Sequence, residues 1–357
     1  MHDNQHKMLT ASWTKIKFHF KHPSGTSRGI LAYRDSWFIK LSYKDTPQIV
    51  GIGECAPIAG LSVDDIKAMN ETVELVCNCI NDKHVISSIM KIYPSIKFGL
   101  EMAAIDLKTG GKQILFQSDF STGVEGIPIN GLIWMGSPKF IYDQIFSKID
   151  AGFNCIKMKI GAIDFQQELD ILKTVRNKFS SDMIELRVDA NGAFSMTEVH
   201  EKLKQLAKYD LHSIEQPIAA GQQIAMAKLC QNSPLPIALD EELIGIHGFK
   251  EKEHLLNKIN PQYLIIKPTL LGGFAESMEW INIANMKRII WWITSALESN
   301  IGLNAIAQWT AQMGVTNVQG LGTGQLFANN FLSPLSIENG KLNYNQDSDW
   351  DLTALNR

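Results

Sequence analysis

The sequence predicts an α/β protein in which a barrel of parallel strands follows a smaller α+β lobe. Three observations point there. At 357 residues the chain is too long for one average domain. Its first third reads as strands followed by helices. From about residue 127, short apolar strands alternate with helix-like segments at a regular spacing. Apolar residues at 45% and charged residues at 20% are the balance of an ordinary globular protein, long enough to bury a large core.

In the first lobe, residues 15–20 alternate with period two, and 37–41 and 48–52 are further strand candidates joined by polar turns. Apolar residues then recur three and four apart near 64–80 and 95–110, which predicts two helices. The second part offers strands at 127–133, 155–160, 184–188, 211–215, 237–240, 263–267, 289–294 and 317–321. Their starts fall roughly 23 to 30 residues apart, the length of one strand, one helix and two short loops. Eight such units make a TIM-like barrel. A doubly wound open sheet is the competing architecture, but no Gly-rich phosphate fingerprint follows the first strand.

A net charge of -3 without dense runs of Lys and Arg gives no reason to expect a nucleic acid partner. The longest apolar runs, such as 263–266 and 289–293, are strand-sized, so no membrane partner is expected. The polar N-terminus lacks the apolar stretch of a signal peptide, and five cysteines read as free thiols in a reducing compartment. A cytoplasmic protein is the expectation.

Each barrel strand should end at the C-terminal mouth, where sites of this fold lie. The second carries Lys157-Met158-Lys159, and residues two apart on a strand face the same way. The third ends in Asp189, the fourth in Glu215, the fifth in Asp240 and the sixth in Lys267. Singly, each has an ordinary explanation. Asp189-Ala190-Asn191-Gly192 is turn chemistry, Asp240-Glu241-Glu242 suits a helix start, and paired lysines suit a solvated face. Together they are harder to dismiss, because the steps from Asp189 to Glu215 to Asp240 to Lys267 are 26, 25 and 27 residues. Three carboxylates converging without visible partners would repel one another, so a cation between them is expected. Hard oxygen donors suit Mg²⁺ better than Zn²⁺.

That arrangement suits proton abstraction from a carbon acid beside a carboxylate, whose dianionic intermediate needs charge compensation. Lys159 is then the acid/base, Lys157 tunes it, and Lys267 serves the opposite face of the substrate.

The Lys-x-Lys pair at 157 and 159, the acids at 189, 215 and 240, and Lys267 resemble the enolase superfamily in its muconate-lactonizing subgroup. The resemblance covers most of the chain. It implies a modified TIM barrel, (β/α)7β, over 126–325, and Mg²⁺ (Mn²⁺ as a substitute) on Asp189, Glu215 and Asp240. It also implies an α+β capping domain over 1–125, on which the tail 326–357 packs back. Gly51-Ile52-Gly53-Glu54-Cys55-Ala56-Pro57 is similar to the loop that this domain places over the barrel mouth. Within the subgroup the chain is most similar to the o-succinylbenzoate synthases, through Thr26 to Gly29, Asn130 to Ile133, Thr294 to Ser299 and Gly320 to Gly324. That implies a small-molecule carboxylate as substrate and dehydration on the way to menaquinone.

Three residues are candidate substrate contacts. Arg28, in a Gly- and Ser-rich loop, either pairs with a carboxylate or is a solvated arginine. Ser295 either opens a helix start that donates to a carboxylate or is a plain N-cap. Asn130 reads best as a strand-end hydrogen-bonder, and Trp291-Trp292 as packing. Rival functions on the same scaffold are a dipeptide epimerase, an N-acylamino acid racemase and a muconate-type cycloisomerase. The epimerase needs an anion near the eighth strand for the dipeptide ammonium group, and Gly320 to Gly324 contains no carboxylate. A binding protein that has kept the barrel is the non-enzyme alternative.

Overall fold

A computed structural model describes residues 8–26 and 29–356. The chain opens with a three-stranded antiparallel sheet, β1 (Leu9–Thr26), β2 (Gly29–Tyr43) and β3 (Thr46–Cys55), in that order. Its strands run well beyond the short apolar stretches seen in the sequence, because polar residues still pair across the ladder on both sides of an irregularity between His19 and Ser24. Helices α1 (Met69–Asn78), α2 (Lys83–Ile92) and α3 (Pro94–Lys108) follow. Helix α2 has no counterpart among the expected helices. It is rich in β-branched residues and Ser, and buries only Ile89, so its apolar signal is weak. Its start is set by Asp82, whose side chain accepts from the backbone of His84 and Val85. Trp37, Ile39 and Leu41 of β2 meet Met69, Val73, Ile96, Leu100 and Ala103 of the helices in one core.

The second part is a seven-stranded parallel sheet among the described residues, its strands lying side by side in chain order. These are β5 (Gly131–Ile133), β6 (Cys155–Lys159), β7 (Glu185–Asp189), β8 (Ser213–Glu215), β9 (Ile237–Leu239), β10 (Tyr263–Ile266) and β11 (Ile290–Ile293). Between them run α4 (Pro138–Asp150), α5 (Phe165–Lys178), α6 (Val199–Leu206), α7 (Gln223–Asn232), α8 (Phe249–Ile259), α9 (Pro268–Leu271) and α10 (Phe274–Lys287). Helix α11 (Asn300–Gln312) closes the series. Strand neighbours in sequence are neighbours in space, as right-handed βα crossovers dictate.

The ends of this sheet differ from the sequence expectation. The first expected strand, 127–133, is split: β4 (Ile127–Pro128) pairs with a C-terminal hairpin, and only β5 joins the parallel sheet. That hairpin, β12 (Leu335–Glu338) and β13 (Lys341–Tyr344), draws 127–128 sideways through Lys341 and Leu342. The segment 317–321 forms only isolated parallel bridges, Ile129 with Gln319 and Thr294 with Gly320. It nevertheless ties both edges of the sheet. Gln319 donates to Pro128 and accepts from Asn130, while Gly320 donates to Ile293 and accepts from Ser295.

Further along, Phe327 and Phe331 pack with Phe18, Phe20 and Phe38 of the first sheet. Trp292 is buried against Ala238, Ile265 and Tyr263, with the Arg187 guanidinium 4.1 Å over its ring, so the packing expectation for it holds. All five cysteines are free thiols, and no helix among the described residues is long and apolar enough to cross a membrane.

Candidate active site

Strand register brings the site together. Lys159 is in register with Asp189 on β7, and Asp189 with Glu215 on β8, so three strand ends stand at one level. Asp240 follows β9 directly, and Lys267 follows β10. Lys157 and Lys159 share a face, as period two requires, while Met158 points away into the packed shell. The six residues collect at one end of the sheet. The three carboxylates are buried at 0%, 2% and 2% exposure for Asp189, Glu215 and Asp240.

The carboxylates are not without partners, and here the sequence expectation needs correction. Lys157 Nζ lies between Asp189 Oδ2, at 3.1 Å, and Glu215 Oε2, with which it makes a close hydrogen bond. Lys267 Nζ donates to Asp240 Oδ2 and stands 3.6 Å from Glu215 Oε1. Lys159 Nζ donates to Asp189 Oδ2 at 2.9 Å and to Asn191 Oδ1 at 2.6 Å. The ammonium groups themselves supply neutralising charge, since no buried carboxylate tolerates isolation.

The balance is uneven across the cluster. Burial works to raise the Asp189 carboxyl, but Lys157, Lys159 and Lys267 outweigh it and hold it well below the ordinary carboxylate range. At Asp240 burial prevails, helped by Glu241 and Glu215 against the pull of Lys267, and its carboxyl sits well above that range. Burial opposes the charges of Lys157 and Lys267 as well. Asp189 and Glu215 overcome it at Lys157, as Asp240 and Glu215 do at Lys267, so both ammonium groups are held above their ordinary values.

A divalent cation fits this donor set. Glu215 Oε1 is buried with no hydrogen-bond partner, a carboxylate oxygen left over after the lysines are served. At Asp240 the single close ammonium of Lys267 does not make up for burial. As the side chains stand, no three His, Cys, Asp or Glu residues among those described form a ready-made cage, because Lys157 and Lys267 lie among the carboxylates. Binding an ion therefore entails a shift of ammonium groups away from oxygen atoms.

The lysines, Asp189 and Asn191 line a cavity. Asn130, Thr294, Ser295 and Thr323 share its lining, as do Ile58, Ala59 and Leu61 of the loop after β3. Asn130 Oδ1 and Thr294 Oγ1 are buried without hydrogen-bond partners, and Ser295 Oγ is 2.6 Å from Thr323 Oγ1. Arg28 lies outside the described residues. Three participants escaped the sequence reading. Asn191, with φ 44°, reaches Lys159 and also donates to Glu241 Oε1 at 2.9 Å, yet in sequence it reads as turn chemistry. Thr294 and Thr323 lie in segments that the sequence marked, but nothing local distinguishes a pocket threonine from a strand residue.

Residues 142–348 match the family model described as "Enolase C-terminal domain-like", and 27–107 match "MenC, N-terminal domain". An o-succinylbenzoate synthase of Desulfotalea psychrophila is 44% identical over 94% of this chain and 98% of its own. The crystal structure of MenC from that organism superposes with a TM-score of 0.84 at 40% identity, covering 94% of this chain and 99% of that one. A dipeptide epimerase of Enterococcus faecalis, solved with Mg and L-Leu-L-Tyr, reaches 0.81 at 20% identity over 96% and 98%, a likeness of fold alone.

Proposed function

The chain belongs to the enolase superfamily, among the o-succinylbenzoate synthases, and from that premise we propose how its own residues carry out the reaction. The activity is dehydration of 2-succinyl-6-hydroxy-2,4-cyclohexadiene-1-carboxylate to 2-succinylbenzoate, a carbon–oxygen lyase step of menaquinone biosynthesis. What carries the substrate assignment is likeness to the D. psychrophila synthase along nearly the whole chain.

Asp189, Glu215 and Asp240 would hold a divalent ion, Mg²⁺ by the hardness of the donors, with Mn²⁺ able to replace it. When bound, it offsets negative charge developing on the substrate carboxylate as the neighbouring carbon loses its proton. Lys159 Nζ takes that proton and returns it to the departing ring hydroxyl, so that a C–H and a C–O bond break and water leaves. One base suffices if both groups leave from one face. Lys267 stays protonated opposite, its charge set against the ring that becomes aromatic. Lys157, between Asp189 and Glu215, keeps those carboxylates oriented and adds positive potential beside Lys159.

The substrate's second carboxylate needs donors away from the lysines. Ser295 and Asn130 line the cavity, and the Thr294 hydroxyl, buried there without a hydrogen-bond partner, can donate. Arg28, with a guanidinium fork suited to a carboxylate, is the further candidate. We read 317–321 as an eighth strand that completes a (β/α)7β barrel, supported by its hydrogen bonds to both sheet edges. Residues 1–125 act as the cap and 126–325 as the barrel, with 326–357 returning to the cap through Phe327 and Phe331.

The test is turnover with Mg²⁺, following 2-succinylbenzoate by ultraviolet absorbance, alongside α-proton exchange in dipeptides by NMR. Dehydration without dipeptide exchange is expected. Epimerisation of a dipeptide with no 2-succinylbenzoate formed would leave only the superfamily standing.

A further inference from the structure

The loop after β3 and the turn after β11 both line the cavity, yet they come from distant parts of the chain. One side chain touches both. Arg34, on β2 and 8% exposed, directs Nη1 to the carbonyl oxygens of Ala296, at 2.7 Å, and Leu297. Its Nη2 donates to the carbonyls of Ala56 and, at 3.3 Å, Pro57. All four acceptors are backbone atoms immediately before or within pocket-lining stretches: Ile58 and Ala59 on one side, Ser295 to Leu297 on the other.

The turn after β11 needs such a hold. Leu297 has φ 64°, a left-handed conformation that a branched side chain rarely adopts. From its other side the turn is held by Glu298, fully buried, which accepts from Ala296 N at 2.8 Å and from Thr269 Oγ1. Thr269 follows Lys267 by two residues, so the turn is braced between the cap and the strand end that carries Lys267. A planar fork with five donors can hold two loops at a fixed separation, whereas a single ammonium is a point charge on a flexible stem and lacks that fixed geometry.

We propose that Arg34 is a positioning residue for the substrate pocket, fixing the cap loop and the strained Leu297 turn in register so that Ile58, Ala59 and Leu297 form one rigid apolar wall. None of its hydrogen bonds reaches Lys159, Lys267 or the carboxylates. Its loss therefore acts on substrate binding rather than on proton transfer. The kinetic part of this inference rests on the synthase reading.

The test compares wild type with Arg34→Met, close in bulk but without donors. The expected result is KM raised about tenfold or more with kcat nearly retained, the signature of lost binding common to ground and transition states. Hydrogen–deuterium exchange of the substrate-free protein should quicken in peptides covering 56–61 and 295–299, and stay unchanged in α3 and in β6 to β8. An unchanged KM in folded Arg34→Met, a fall in kcat alone, or exchange quickened throughout the molecule overturns the proposal. Should Arg34→Met not fold, Arg34→Lys replaces it. A raised KM with faster exchange in one of the two loops supports the clamp, and wild-type KM overturns it. The exchange experiment needs no substrate, so a wrong substrate assignment would void the kinetic readout while leaving local loosening visible.

Discussion

Lys159 and Lys267 are equally shielded, each side chain 12% exposed, but differ in what holds them. Lys159 is aimed by Asp189 and Asn191, Lys267 by Asp240 with Glu215 nearby. One-base dehydration assigns them unequal work, so Lys159→Ala should abolish both 2-succinylbenzoate formation and exchange of the substrate α-proton with deuterated water. Lys267→Arg keeps the cation and should retain part of the dehydration, since arginine does not deprotonate. Total loss in Lys267→Arg with normal folding would favour a two-base mechanism. At this scale much was legible. Period two aligned Lys157 with Lys159, and the repeat length aligned the carboxylates. Asn191 was not, because its value lies in meeting a lysine 32 residues away.

Elements in this protein depend on close approaches and buried ends. Strand β3 and helix α3 pack with backbones nearly touching: a Cβ on Gly53 would overlap the carbonyl of Gly99. Gly53→Ala should cost about 1–3 kcal/mol or more by overpacking, read as a lower urea midpoint with unchanged slope. A midpoint equal to wild type would mean that the two elements can separate freely. Helix α5 presents a different case. Glu168 is 1% exposed and accepts from Gly161 N at 2.7 Å, bracing the loop that leaves Lys159. Burial lifts its carboxyl from the ordinary 4.5 to about 7, against the pull of the Gly161, Ala162 and Ile163 amides and of Lys202. The folded protein thus keeps a proton that the unfolded chain releases. That contribution is full below pH 4.5 and fades as pH rises through 7. Glu168→Gln removes it, so the variant's Tm relative to wild type should climb between pH 5 and 7 and level off above. A difference constant with pH would contradict the raised carboxyl.

Across the whole molecule, the site joins strand ends from one part and a lining loop from another, so ligand binding and global stability are coupled. Four acids, Asp189, Glu215, Asp240 and Glu241, face three lysines in a buried cluster. A divalent ion and a substrate with two carboxylates add equal and opposite charge, which leaves that balance intact. Mg²⁺ should raise Tm progressively with the logarithm of its concentration above Kd, corresponding to about 2.7 kcal/mol of stabilisation at a hundredfold excess. Chelator should abolish turnover while circular dichroism stays native. Glu215→Gln, folded, should show the Tm response only at higher Mg²⁺. Full turnover in excess chelator would exclude the metal role.

By itself the sequence determined the alternation of strands and helices in the second part and the six strand-end residues, because these follow from local periodicity and a repeat of near-constant length; those residues then carried the resemblance to the family. Tertiary structure decided what depends on distant partners. It split 127–133 between two sheets, since β13 competes for Ile127 and Pro128. It reduced 317–321 to isolated bridges, although both neighbours accept its hydrogen bonds. It seated ammonium groups among the carboxylates and set Arg34 between two loops. Alternating side chains record which face a residue takes. Which buried charge meets which is settled only when desolvation forces each to find its nearest counterpart.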